Sequence, residues 1–167
     1  MSFIKINPTD IKENTFTLID KDWMLISAGN SESNNCMTAS WGGFGILWFK
    51  PVVYIFIRPQ RYTREFIEKN DYFTVSFFDE TYRDALNFCG KKSGREINKA
   101  KECGLDIIQT THDSIAYKQA NLILECKKMY AEPFKKESFI DKSQLHHYEK
   151  NDFHIMYIAE ITECLIK

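Results

Sequence analysis

Two short segments combine residue types that could hold a flat ligand with a phosphate tail. Residues 37–41 read Met-Thr-Ala-Ser-Trp, and their small side chains let the backbone approach a planar ring. Residues 58–63 read Arg-Pro-Gln-Arg-Tyr-Thr, and their arginines and threonine can grip a phosphate through charge-assisted hydrogen bonds. Together the two segments offer a slot for a ring and a cationic cup for a charged tail.

A flavin mononucleotide requires such a slot, main-chain polar groups at the ring edge, and a phosphate cup. Thr63 also lies where a helix is predicted to begin, capping residues 63–69 before a left-handed turn at Asn70. Free amides at a helix start favour an anion. An arginine-rich turn that ends in threonine is equally typical of a solvated loop, so the segment alone leaves that alternative open.

Two other motifs predict no separate site. Residues 42–45 contain three glycines, but Trp48 stands where a dinucleotide-binding turn has its last glycine, so we expect only a tight turn with positive φ. His146 and His147 are adjacent and would point to opposite faces of a strand. We therefore predict no metal site.

Three further side chains keep two interpretations each. His154 could face a bound ring or nicotinamide, but a histidine at a strand start is more often a hydrogen-bonded surface residue. Cys36 and Cys89 could lie near the ring and be redox-active, which would require a lowered thiol pKa. The sequence does not choose between these roles.

The elements that must position these residues are mostly strands. Apolar runs rich in β-branched and aromatic residues predict strands at residues 23–28, 51–59, 71–78, 121–126 and 154–166. Short helices are expected at residues 63–69, 79–88 and 93–103, the last capped by Ser93 and closed by Gly104. This pattern predicts a mainly β protein, a β-barrel with peripheral helices.

Composition limits the function classes. The 167 residues suggest a single domain spanning residues 1–167, and the net charge of −1 argues against a nucleic-acid partner. The longest apolar run is too short to span a bilayer, so we expect neither secretion nor membrane insertion. Five cysteines without a C-x-x-C pair favour neither disulfides nor zinc, and they fit the cytoplasm.

Five motifs in a fixed order make the sequence recognisable: residues 37–43, 50–51, 57–63, 73–76 and 89–95. In their order and spacing the chain resembles the flavin reductase-like, FMN-binding split-barrel family, and it is most similar to the flavoredoxin branch. The resemblance implies a six-stranded split barrel that forms a homodimer, with FMN bound near the subunit interface.

The resemblance also implies which residues bind FMN. Residues 38–41 would line the isoalloxazine edge, four residues of the second segment would bind the phosphate, and Cys89, Ser93 and Gly94 would close the far side of the pocket. Ser93 would do so while capping a helix, since a capped start still presents its amides. The predicted cofactor-binding residues are Met37, Thr38, Ala39, Ser40, Trp41, Arg58, Arg61, Tyr62, Thr63, Cys89, Ser93 and Gly94.

The implied activity is electron transfer through bound flavin, from NAD(P)H or a redox protein to a small-molecule or protein acceptor. We expect an NAD(P)H-dependent flavin oxidoreductase and assign no catalytic side chain, since the flavin carries the chemistry. The alternatives are an electron carrier that reacts slowly with NAD(P)H, or a protein that binds FMN or another planar ligand such as haem without turnover.

Overall fold

The computed structural model describes residues 2–167. Within them, eight antiparallel strands form one sheet: β1 (Ile4–Ile6), β2 (Met24–Gly29), β3 (Asn34–Ala39), β4 (Gly42–Leu47), β5 (Lys50–Ile57), β6 (Tyr72–Phe77), β9 (Leu122–Pro133) and β10 (Ile155–Ile166). Their order across the sheet is β3-β2-β6-β9-β10-β5-β4, with β1 also paired to β10. A separate hairpin joins β7 (Ile107–Gln109) to β8 (Ile115–Tyr117).

The predicted mainly β class is confirmed. The sheet is open, with β3 and β4 as its two ends. It counts eight strands where the resemblance implies six. The strand β10 is long enough to have two neighbours along one edge, since it pairs with β5 over residues 155–160 and with β1 over residues 164–166, and this adds the short strand β1 to the count.

Alternation along the strands builds two cores on opposite faces of the sheet. In β6, Phe73, Val75 and Phe77 enter a first core inside the curved sheet, while Thr74 and Ser76 are buried on the other face. The second core lies under the helices and the β7–β8 hairpin. Because both faces of β2 are buried, this strand reads as the continuous apolar run that predicted it.

The last strand, β10, pairs irregularly with its neighbour β9. Register shifts in its pairing with β9 occur at Ile158/Ala159 and Ile161/Glu163. Tyr157 and Ile161 face the first core, and beyond the second shift Cys164 faces it as well. A β-bulge therefore restores the inward face after the strand has changed direction.

Short helices connect the strands. They are α1 (Thr15–Thr17), which continues into a π-helical turn at Leu18–Asp22, α2 (Thr63–Lys69), α3 (Arg83–Lys91) and α4 (Lys99–Glu102). Single 3₁₀ turns lie at Pro8–Asp10, Glu80–Tyr82 and Lys136–Ser138, and a longer one at Lys142–Tyr148. No helix within residues 2–167 has both the length and the apolar character needed to cross a bilayer.

Three details of the predicted helices were wrong. The helix expected from Ser93 starts at Lys99, because the Asn98 side chain caps it by accepting the Lys101 amide at 3.1 Å. Thr63 is the first helical residue of α2 and makes no capping hydrogen bond. Asn70 is extended at φ −118°, and its amide nitrogen Nδ2 instead donates to the Phe66 carbonyl.

The glycine-rich stretch is also not the expected tight turn. Gly42, Gly43 and Gly45 belong to β4, and none of them has positive φ. Tyr54 of the neighbouring strand lies across them, so that a Cβ on Gly43 would come within 2.5 Å of the Tyr54 ring and one on Gly45 within 2.0 Å of its hydroxyl. Glycine is required at these positions because Tyr54 packs closely against the strand, and not because the backbone adopts a positive φ.

Candidate functional site

A groove forms where β3 runs into residues 40–41 beside the end of β5. It has a volume of about 270 Å³. Seven of the twelve predicted site residues line it together with Phe56 and His154, namely Met37, Thr38, Ala39, Ser40, Trp41, Arg58 and Arg61. The two segments singled out in the sequence therefore meet, as a shared ring-binding slot requires.

A cationic cup adjoins the groove. It has a volume of about 210 Å³ and contains the predicted residues Arg61, Tyr62, Thr63, Ser93 and Gly94. Its other lining residues are Asn35, Gln60, Lys91, Lys92 and Lys99. Four cationic side chains and no carboxylate line it, so the cup favours an anion. Arg61 lines both cavities and marks the point where they join.

Arg61 carries a donor that has no partner in the chain. Its Nη1 donates to the carbonyl of Gly90 at 2.8 Å, whereas its Nη2 is buried without a hydrogen bond. Burial lowers the pKa of this guanidinium below its usual value. A buried charged donor left unsatisfied is costly, so Nη2 is set to receive an anionic acceptor from a ligand.

Asn35 and Gly94 hold Thr63 in place at the cup. The Asn35 side-chain nitrogen donates to Thr63 Oγ1 at 2.9 Å, and both residues are buried. This leaves the Thr63 hydroxyl proton available for a ligand. Gly94 packs against Asn35 so closely that a Cβ there would lie 1.9 Å from Asn35 Oδ1. The glycine is thus required by packing.

The C-terminal end of α3 is tied to the site by three side chains. The Leu86 carbonyl accepts a hydrogen bond from Thr38 Oγ1 at 2.5 Å. The carbonyls of Cys89 and Gly90 lie in the last turn, where helical partners are lacking, and they accept from Lys99 Nζ at 3.0 Å and Arg61 Nη1, respectively. Two of the donors are cations, which the negative end of the helix dipole favours. Lys99 is buried, and its burial lowers its pKa.

Arg58 lies on the groove and not in the cup. Its Nη1 is 2.5 Å from Asp152 Oδ2, and its Nη2 donates to the His147 carbonyl at 3.0 Å. Gln60 donates to the same Asp152 oxygen, and the hydrogen bonds from Gln60 and Arg58 lower the pKa of the Asp152 carboxyl. Since Asp152 balances the charge of Arg58 beside the groove, Arg61 is the arginine of the cup whose charge is not balanced by a carboxylate.

His154 is buried and lines the groove, so it is not the surface histidine that its position suggested. Its Nδ1 lies 2.8 Å from the Tyr148 hydroxyl, and its ring centroid is 5.3 Å from that of Trp41. Burial, and then the positive charge of Arg58, lower the pKa of His154 to about 4. At neutral pH the groove therefore contains a neutral imidazole.

Cys89 lies behind the pocket. Its side chain has no exposed surface, it lines neither cavity, and its Sγ is 3.8 Å from Cys36 Sγ. It reaches the site only through its carbonyl, which holds Lys99. Within residues 2–167, no group of three or more His, Cys, Asp or Glu side chains is arranged to hold a metal ion.

An aromatic pocket of about 440 Å³ opens beside the groove and shares Trp41 and Phe56 with it. Phe134, Phe139 and Tyr148 form its walls. The Phe134 ring centroid lies 5.5 Å from that of Phe56 and 6.0 Å from that of Phe139. The pocket can therefore accept a flat apolar molecule next to whatever fills the groove.

The sequence missed several lining residues. Phe56 could have been found from strand alternation, since Ile55 and Ile57 are core residues and Phe56 shares the opposite face with Arg58. Lys91 and Lys92 lie inside a motif that was recognised. Lys99 gave no signal, because nothing local shows that a lysine is buried.

The class that the fold and the site define is a flavin reductase-like domain of the oxidoreductase type. The sequence model of the flavin reductase-like domain family matches residues 19–167, and the chain belongs to this family. The predicted family is therefore confirmed. None of the curated protein sequences compared with the chain matches it.

Solved structures share the fold. An FMN-binding domain of a flavin reductase-like enzyme from Shewanella baltica has a TM-score of 0.72 at 18% identity, covering 99% of this chain and 77% of its own. Flavoredoxin from Methanosarcina acetivorans has a TM-score of 0.69 at 19% identity, and the match covers 98% of this chain and 75% of the flavoredoxin. The 2-nitrobenzoate 2-nitroreductase of Pseudomonas fluorescens has a TM-score of 0.67 at 20% identity, and the match covers 91% of this chain and 70% of the nitroreductase. The split-barrel prediction is confirmed.

Proposed function

We propose that this chain is an FMN-dependent oxidoreductase that takes electrons from NAD(P)H and passes them to a small, flat acceptor. The observation that carries the proposal is Arg61, whose unpaired buried Nη2 lies where the groove meets the cationic cup. A ligand with a planar ring and an anionic tail satisfies both cavities at once. FMN is such a ligand, and the family and the FMN-binding neighbours support it.

The residues present fit FMN. Residues 38–41 and Phe56 would hold the ring system, while Arg61, Thr63, Ser93 and the lysines of the cup would hold the phosphate. When bound, the flavin supplies reversible uptake and release of electrons. The protein's own part is placement, exclusion of water and control of charge.

His154, Arg58 and the aromatic side chains of the groove perform these tasks. His154 stays uncharged and presents a polar ring edge to the slot, and Tyr148 fixes its orientation. The charge of Arg58 is held against Asp152. Trp41 and Phe56 form an apolar wall on the side of the aromatic pocket. That pocket favours a small-molecule acceptor over a purely protein-to-protein electron carrier.

We also propose that the protein is a homodimer. The turn between β4 and β5 exposes Trp48 and Phe49, and Ile46 of β4 is exposed beside them. Both turn residues have positive φ, a conformation that aromatic residues rarely adopt. Apolar side chains kept at this tip do little for their own subunit. Light scattering coupled to size exclusion should give twice the chain mass, and a monomer at micromolar concentration would refute this part.

The activity is tested by the absorption spectrum and by anaerobic mixing with pyridine nucleotides. We expect flavin absorption from the purified or FMN-reconstituted protein and rapid bleaching by NADH or NADPH. Yellow protein that bleaches slowly with both would favour the electron-carrier alternative. A Soret band, or no flavin binding after reconstitution, would overturn the proposal.

A further inference from the structure

Three cysteine sulfurs lie in a row behind the cationic cup. Cys36 Sγ of β3 is 3.8 Å from Cys89 Sγ of α3, and Cys89 Sγ is 3.9 Å from Cys103 Sγ, just after α4. All three are free thiols. A disulfide has an S–S length of about 2.05 Å, so the sulfurs of either pair must approach by about 1.8 Å to form one.

The cluster is graded in exposure. Cys36 and Cys89 are buried, whereas Cys103 is partly exposed. Cys36 also lines a separate polar cavity of about 270 Å³, formed with Asn34, Asn35 and residues 94–100. This cavity is ample for a molecule the size of water or hydrogen peroxide. Cys36, which is 2% exposed, is the member of the row that borders this cavity.

The charges around the cluster distinguish the two buried thiols. The hydrogen bond with Cys89 and then the nearby positive charges of Lys99 and Arg61 lower the pKa of Cys36 to about 7, against the opposing effect of burial. The same hydrogen bond, together with burial, raises the pKa of Cys89. Because Cys36 borders the cavity and Cys89 does not, we assign Cys36 as the thiol that meets the oxidant and Cys89 as its neighbouring partner.

We propose that Cys36 and Cys89 form a peroxide-reactive thiol pair that is oxidised to an intramolecular disulfide. The inference rests on the cysteines and their cavity, so it stands or falls separately from the proposed flavin activity. Nothing in the proposed electron transfer uses these thiols.

The reaction has two balanced steps. The Cys36 thiolate attacks one oxygen of hydrogen peroxide, the O–O bond breaks, and the departing hydroxide takes a solvent proton to leave as water. Cys36 is then a sulfenic acid. Cys89 sulfur attacks Cys36 sulfur, the S–O bond breaks, and the hydroxide leaves as water with the Cys89 proton. The two thiols lose two electrons in total, and the peroxide gains them.

Cys103 gives the disulfide a route back to the reduced state. Its sulfur can attack Cys89, forming a Cys89–Cys103 disulfide and releasing Cys36 as a thiolate. Because Cys103 is partly exposed, an external thiol can then attack its sulfur, which breaks the S–S bond and releases Cys89 as a thiol. A second external thiol attacks the mixed disulfide, releases Cys103 and leaves with the first as an external disulfide. The row would thus carry oxidation from a buried nucleophile to the surface.

Peptide mapping tests the proposal directly, because trypsin places all five cysteines on different peptides. The purified protein is treated with a small excess of hydrogen peroxide, alkylated under denaturing conditions, and digested without reductant. We expect a Cys36–Cys89 or Cys89–Cys103 linked pair that dithiothreitol removes, while Cys126 and Cys164 stay alkylated as free thiols. Five free thiols, or oxidation spread evenly over all five, would overturn the proposal.

Two variants assign the roles. Cys89→Ser should abolish the cross-link and leave a Cys36 sulfenic acid that dimedone traps. Cys103→Ser should still form the Cys36–Cys89 disulfide but regain free thiols about tenfold more slowly with a bulky reductant. Cys126→Ser, also at a fully buried site, is the matched control and should cross-link like the parent. The parent protein can also be treated with peroxide and dimedone together, which does not require Cys89→Ser to fold. Labelling of Cys103 in place of Cys36 would then contradict the assignment.

Discussion

Arg61 offers the sharpest test of the site, through the substitution Arg61→Met. Methionine keeps much of the side-chain volume and removes both the hydrogen bond to the Gly90 carbonyl and the unpaired Nη2. A hydrogen bond between charged groups contributes about 1.5–3 kcal/mol. If Nη2 binds the phosphate, FMN affinity should fall by about 10- to 150-fold.

The same change should barely alter the stability of the flavin-free protein. Losing the bond to Gly90 costs about 1.5–3 kcal/mol, but removing a buried unpaired donor returns about 1–3 kcal/mol. The two nearly cancel, and a residual of about 1 kcal/mol shifts the melting temperature by only about 2–4 °C in a chain of this size. Affinity and stability should therefore separate.

Fluorescence titration with two ligands is the assay. FMN and riboflavin share the ring, but riboflavin lacks the phosphate, so Arg61→Met should weaken FMN binding and leave riboflavin binding within about threefold. Arg64→Met is the control, since Arg64 pairs with Glu68 on α2 and lines neither cavity. Equal losses for both ligands, or no loss for FMN, would refute the assignment of Arg61 to the phosphate.

Three further outcomes follow from the geometry. The pKa of His154 is about 4 when folded and about 6.5 when unfolded, so stability is full above pH 6.5 and falls by up to about 3 kcal/mol as pH drops towards 4. His154→Phe should flatten the fall in melting temperature between pH 6.5 and pH 4, and an unchanged slope would contradict the burial argument. Gly94→Ala should destabilise the protein by about 1–3 kcal/mol and weaken FMN binding, because its Cβ collides with Asn35. Gly90→Ala, in α3 with a nearest contact of 3.4 Å, should be neutral or slightly stabilising in urea unfolding, and the reverse order of the two glycine variants would be inconsistent with the packing. Lys99→Met removes a cation near Cys36, so the pKa for alkylation of Cys36 should rise above about 7, and an unchanged pH profile would show that Lys99 does not influence the thiol.

The sequence predicted the strands that are buried on at least one long face. β5 and β6 read as apolar runs because their side chains fill the cores. β9 was predicted only to Cys126, yet it extends to Pro133. Beyond residue 127 it pairs with β10 alone and faces solvent, so its Lys-Lys-Met-Tyr-Ala-Glu stretch carries no apolar signal. β3 and β4 were missed as strands for related reasons, being polar and glycine-rich respectively.

The candidate site was likewise predicted only in part from the sequence. The paired segments 37–41 and 58–63 were recognisable because their residue types match the chemistry of the ligand. The separation of roles between Arg58 and Arg61 was not, because it depends on Asp152, which is 94 residues away from Arg58 in the chain. Local sequence shows which side chains are available, and only the tertiary pairing shows which charge is left free.

The attachment of α3 to the site has a consequence for how such a pocket can change. Thr38, Arg61 and Lys99 each donate a hydrogen bond to a backbone carbonyl of that helix, and each also borders the groove or the cup. Any exchange of these three side chains for a new specificity also removes a hydrogen bond that holds that helix in place. Adaptation to other ligands is therefore easiest at Tyr62, Lys91 and Lys92, whose side chains border the cup and make none of these hydrogen bonds, and variation among relatives should concentrate there.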